Sequence, residues 1–143
     1  AIIYISTWVC CILKSVTNHQ AVSDPILSRL TNGRMKSQML ILQEFRLLDR
    51  EVTAQLIVTF LYVASHNPCH KQALEEELGF STASSSRNVD WLSHHHRLSK
   101  PGLGLVMKEK DPSNLRRYIL TLTPKGETLV QRIEDLLNDY YLE

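Results

Sequence analysis

Two groups of side chains carry the chemistry that can be read from this sequence. Ser81, Thr82, Ser84, Ser85, Ser86, Arg87 and Asn88 place small hydroxyl and amide groups beside one long guanidinium. A helix with such a face lets its backbone sit deep in the major groove of duplex DNA, where polar groups and an Arg meet base edges or phosphates. Ser is an indifferent helix former, so a run this rich in it is a poor choice for helix stability alone. The plainer reading is a solvated, serine-rich loop. The second group is Lys108, Lys110, Asn114, Arg116 and Arg117, gathered around the turn-forming stretch Asp111-Pro112-Ser113-Asn114. An Arg on a protruding hairpin can enter the minor groove, where narrow A·T tracts concentrate negative potential. The plainer reading here is an ordinary charged hairpin tip.

Other constellations point to no catalytic or metal chemistry. His94, His95 and His96 are neighbours in sequence, and consecutive side chains diverge rather than converge on one ion. His66, Cys69 and His70 lack an evident fourth ligand. Glu75, Glu76 and Glu77 read as the solvated face of a helix. No Gly-rich phosphate loop follows a strand, and no Ser-His-Asp arrangement has supporting context. No catalytic residue, metal or cofactor is therefore assigned, and a non-enzymatic protein is expected. Cys10, Cys11 and Cys69 form an odd set without CxxC spacing, which reads as reduced thiols and a cytoplasmic setting. Cys69 is a redox-sensor candidate if its thiolate is stabilised.

The elements that would position these residues follow from periodicity and punctuation. The 143 residues suffice for one domain with a real core, and the composition (43% hydrophobic, 22% charged) is that of an ordinary globular chain. The formal net charge is only +1, but it is unevenly spread. Residues 87–125 hold eight basic against three acidic side chains, whereas 126–143 hold one basic against five acidic. Such a split suggests one surface that meets a polyanion and another that stays off it. Residues 1–34 read as an apolar arm and connector. The run 2–13 is too short to span a bilayer as a helix, so a buried element or subunit contact is expected rather than a membrane anchor. From Met35 apolar residues recur at helical spacing up to Asp49, and a second helix starts at its N-cap Thr53 and stops before Asn67-Pro68. A short helix over 70–78, Gly79 as its left-handed cap, and a helix over 83–92 capped by Ser81 or Thr82 make a helix-turn-helix. Alternating runs within 105–122 then form an antiparallel hairpin, Pro124-Lys125-Gly126 breaks the strand, and a final amphipathic helix carries Leu129, Val130, Ile133, Leu136, Leu137, Tyr140 and Tyr141.

The stretch 111–117 followed by Leu120-Thr121-Leu122-Thr123-Pro124-Lys125-Gly126 resembles the wing of MarR-type transcriptional regulators, in which an acidic residue, any residue and Arg precede Leu-Thr-x-x-Gly. Leu78-Gly79-Phe80-Ser81 and Ser86-Arg87-x-Val89-Asp90-x-Leu92 are similar to that family's recognition-helix region. The similarity covers roughly residues 53–137, and Gly102-Leu103-Gly104-Leu105-Val106 is similar to a variant of phage or prophage regulators. Asn114 stands where the family usually has Asp, so the ion pair that would hold the wing Arg in place is expected to be lost or replaced by a neutral contact. The loop 93–100 is longer than the family's step from helix to wing. The expected fold is mainly α with a small β-hairpin: a winged helix-turn-helix with flanking helices for dimerisation, occupying 35–143. The resemblance implies a homodimer on double-stranded DNA, with a regulator acting as a repressor. The resemblance carries over Arg116 or Arg117 as the wing arginine and Ser84, Ser85 and Arg87 as helix contacts. The types and places of the residues themselves add Ser81, Thr82 and Asn88 on the helix and Lys108, Lys110 and Asn114 on the wing as candidate DNA contacts. The alternative is a winged helix that binds another protein and no DNA. No residue pattern indicates a small-molecule effector.

Overall fold

The computed structural model describes residues 32–94 and 99–138. The apolar arm, the connector up to residue 31, His95, His96, Arg97, Tyr140 and Tyr141 lie outside the described residues. The chain divides into two units, 1–36 and 37–143; of the first, only residues 32–36 are described, at the start of a helix. The core and the candidate site belong to the second unit.

The element order is α1 (Gly33–Leu48), α2 (Ala54–Ser65), β1 (Cys69–His70), α3 (Lys71–Leu78), α4 (Thr82–Leu92), β2 (Val106–Asp111), β3 (Asn114–Leu122) and α5 (Pro124–Asn138). Among the described residues, five helices and a three-stranded antiparallel sheet of order β1-β3-β2 give the expected winged helix-turn-helix. Among the described residues, no helix is long and apolar enough to cross a membrane.

Local signals account for the boundaries. The Thr53 side chain accepts from the Leu56 N–H at 3.2 Å, satisfying one of the orphan donors at the start of α2. Gly79 takes φ 65°, a left-handed conformation that costs Gly little, and so turns the chain out of α3. Two residues on, Ser81 caps α4 by accepting from the Ser84 N–H at 3.2 Å. Pro124 is the first residue of α5 rather than the breaker ahead of it. Its missing N–H is one the helix could not have bonded, so Pro fits there.

One apolar core joins the elements. Phe45 of α1 meets Phe60 of α2 edge-on, with ring centroids 5.5 Å apart. Leu56 and Val63 of α2, Leu74 of α3, Val89 and Leu92 of α4, Leu105, Val106 and Leu120 of the wing base, and Leu129 and Ile133 of α5 close around them. Strand β1 was not expected. Its two residues pair with the middle of β3 (Cys69 with Leu120, His70 with Ile119), which ties the start of the helix-turn-helix to the wing. Leu137 remains exposed, so the apolar stripe of α5 is only partly used inside this chain.

Candidate nucleic-acid interface

Helix α4 divides its polar residues between two faces. Ser81, Thr82 and Arg87 are exposed and Ser84 is partly so. Ser85 is fully buried and Asn88 nearly so, which corrects their expected place on a groove-facing surface. The reason is helical spacing: Ser85 lies one turn before Val89, and Asn88 one turn before Leu92, so all four point inward. Asn88 donates to the Thr59 hydroxyl of α2 at 3.4 Å, and that hydroxyl donates to the Gln55 carbonyl at 2.7 Å. Among the described residues, the Ser85 hydroxyl has no hydrogen-bond partner. Helix α4 thus rests on α2 through a partly polar seam.

The exposed end of α4 is also organised. Thr82 donates to Glu75 of α3 at 2.8 Å, and Lys71 donates to the same carboxylate at 2.8 Å. These two bonds, Lys71 first, hold the Glu75 carboxyl below its ordinary range. Arg87 lies along its own helix, with Nε 3.3 Å from the Ala83 carbonyl oxygen. A cleft of about 1050 Å³ opens beside this face, lined by Arg50, Gln55, Ser84, Arg87, Trp91 and Lys100 among others. Arg50, Gln55 and Lys100 join the candidate surface although sequence reading missed them, beside the carboxylates Asp49 and Glu51; only the fold brings the α1–α2 turn and residues 100–101 beside α4. Trp91 anchors that arrangement, its indole N–H donating to Asp49 at 3.1 Å.

The wing is joined to α4 at its base. The carbonyls of Trp91, Leu92, Ser93 and His94, at and beyond the end of α4, accept from the N–H groups of Leu103, Leu105, Gly104 and Gly102 at 2.8–3.1 Å. The Leu-Thr-Pro-Lys-Gly stretch completes the lock. Thr123 donates through its hydroxyl to the Gly104 carbonyl at 2.7 Å and through its backbone to the Leu105 carbonyl at 3.0 Å, and Lys125 donates to the Leu103 carbonyl at 2.8 Å. Gly126 is required by close approach, since a Cβ there would overlap the Leu105 carbonyl oxygen.

Lys108 is not an open cation. Its ammonium lies 2.9 Å from Asp90 of α4 and 4.8 Å from the Tyr118 ring centroid, so it braces the wing against α4. It is thus paired within the chain rather than open; its spacing two residues from buried Val106 on β2 was the available signal.

Beyond Lys110 the ladder changes. Lys110 pairs with Tyr118, but the next pair is Asp111 with Asn114, so Leu115, Arg116 and Arg117 have no partner on β2. Two side-chain turns hold this tip. Asp111, itself buried, accepts from the Ser113 N–H at 2.8 Å and hydroxyl at 2.6 Å, and Asn114 accepts from the Arg116 N–H at 3.1 Å. Asn114 therefore shapes the backbone of the tip. The Ser113 hydroxyl, then its N–H, keep the Asp111 carboxyl below its ordinary value. A lowered folded value means this stabilisation is full above the ordinary carboxylate range and is lost as pH falls through the lowered value. Lys110, Arg116 and Arg117 are exposed, and neither arginine makes an ion pair among the described residues.

Cys69 is buried, and desolvation pushes its thiol up to about 11, so it stays protonated near neutral pH and is not an activated thiolate. No group of three or more His, Cys, Asp or Glu that could hold a metal occurs among the described residues.

No protein-family model matches the chain, and no curated protein matches it in sequence. Solved structures do match. MarR itself is 22% identical, with TM-score 0.51 over 73% of this chain and 74% of that one. A MarR transcriptional regulator from Methanosarcina mazei Go1 is 15% identical, with TM-score 0.55 over 76% and 70%. A transcriptional regulator from Thermotoga maritima is 20% identical, with TM-score 0.54 over 72% and 68%. This chain therefore has the winged helix-turn-helix fold of the MarR-type regulators.

Proposed function

We infer that this protein is a non-enzymatic, sequence-specific regulator of transcription that binds double-stranded DNA as a homodimer in the cytoplasm and represses by occupying its site. The observation that carries this reading is the pairing of two exposed, acid-poor elements on one braced unit. Helix α4 offers Ser81, Thr82, Ser84 and Arg87, and the wing tip offers Lys110, Arg116 and Arg117. An α-helix fits the major groove and an Arg-bearing hairpin fits the minor groove. The exposed apolar residues Leu42, Val58, Leu61 and Leu137 support a protein contact, which a homodimer would use.

Selection of bound sequences from a random duplex pool tests the reading. A recovered motif with two half-sites about one helical turn apart is expected of a dimer. Affinity for that duplex should fall steeply between low and moderate salt, as counterion release requires. Failure to enrich any duplex would leave the second reading, a winged-helix protein-interaction module, for which the same exposed apolar residues speak.

A further inference from the structure

We propose that Leu115 at the wing tip is an apolar wedge that inserts between base pairs from the minor groove and kinks the bound duplex. The inference rests on the DNA-binding reading and gives the wing a second task beyond placing charge.

Leu115 is 68% exposed and contributes nothing to the core. Single exposed apolar residues are common on protein surfaces, so exposure alone would carry no weight. Its surroundings are what distinguish it. Residue for residue, 112–117 are all exposed, and the six hold two arginines and no carboxylate. The nearest acidic side chain in sequence, Asp111, is buried and occupied by Ser113. Leu115 thus sits directly before two cations on a protrusion suited to a polyanion.

The backbone supports the same use. Leu115, Arg116 and Arg117 lie where β3 has no partner on β2, an irregularity of the kind that bends a strand and breaks its ladder. It is nonetheless held, by the Asp111–Ser113 turn on one side and the Asn114–Arg116 turn on the other. A wedge needs this combination. It must protrude, it must not collapse on contact, and cations beside it must offset the approach to phosphates. Proteins that kink DNA from the minor groove use Leu, Ile, Met, Phe or Pro side chains in this way, at pyrimidine–purine steps that unstack easily.

The test uses the full chain and a duplex recovered by selection from the random pool. Adenines flanking the central contacts are replaced in turn by 2-aminopurine, whose emission rises when stacking is lost. The wild type should brighten one flanking step under each wing. L115A should abolish that brightening and weaken binding by about tenfold, the equivalent of withdrawing most of one buried Leu side chain. Its salt dependence should be unchanged, because no charge is removed. L115M, which keeps an apolar side chain of similar volume, should restore the brightening. A duplex bound by the wild type with no brightened step, or brightened equally by L115A, overturns the wedge alone. A chain that enriches no duplex overturns the regulator reading and the wedge together.

Discussion

Helix α4 and the wing tip carry similar polar and cationic residues, yet they hold them in opposite ways. In α4 most of the polar atoms are engaged in seating the helix. Ser81 caps it, Thr82 ties it to α3, Asn88 bonds Thr59 of α2, and Asp90 reaches across to Lys108. At the wing tip only backbone-directed groups are engaged, Asp111 and Asn114, while Arg116 and Arg117 stay exposed. Helix α4 is a placed element with few side chains left over for a ligand. The wing is a delivery arm with most of its charge uncommitted. A mutation in the first should read out chiefly as stability, and one in the second as affinity.

The largest expected effect is at the joint that both regions share. G126A forces a Cβ into the Leu105 carbonyl and should cost about 3 kcal/mol of stability by thermal or denaturant unfolding, with loss of duplex binding as a consequence. A variant as stable as wild type would show that the wing base can shift and is not a lock. Next comes the arm itself. R116A/R117A should leave the melting temperature unchanged and reduce the slope of log affinity against log salt by about two per wing. An unaltered slope would remove the wing from the interface. S85A should then test the placed helix in the other direction. Removing a buried hydroxyl without a partner, and substituting the better helix former, should raise stability by about 1 kcal/mol with duplex affinity unchanged. A loss of affinity in S85A would restore Ser85 as a contact. The smallest effect belongs to the brace. D90A breaks an ion pair whose side chains are 29% and 24% exposed, so it should cost only about 0.5 kcal/mol. If the brace sets the angle between helix and wing, the same variant should narrow the gap between specific and non-specific duplex affinity.

Much of the fold was legible because its signals are local. Thr53, Gly79 and Ser81 act within one turn of themselves, and alternation along 105–122 needs only neighbouring residues. The two-residue strand β1 was not legible, since it exists only through its pairing with Leu120 and Ile119 far along the chain. The site was legible by region and less so by residue. Ser85 and Asn88 were expected at the DNA because their types suit it, yet their spacing to Val89 and Leu92 placed them inward, and Lys108, two residues from Val106, is paired with Asp90. Chemical type outweighed periodicity in that expectation, and for a polar seam periodicity is the better guide.

By itself, then, the amino-acid sequence determined where helices start and stop, that a helix-turn-helix precedes a hairpin, and that basic side chains gather around residues 87–125. Those properties depend on caps, turns and composition, which act over a few residues. Only the tertiary structure decided which polar groups remain outside. It buried Ser85 and Asn88 against α2, spent Lys108 on Asp90, and brought Arg50, Gln55 and Lys100 beside Arg87. Burial and pairing are relations between elements distant in sequence, and no local pattern contains them.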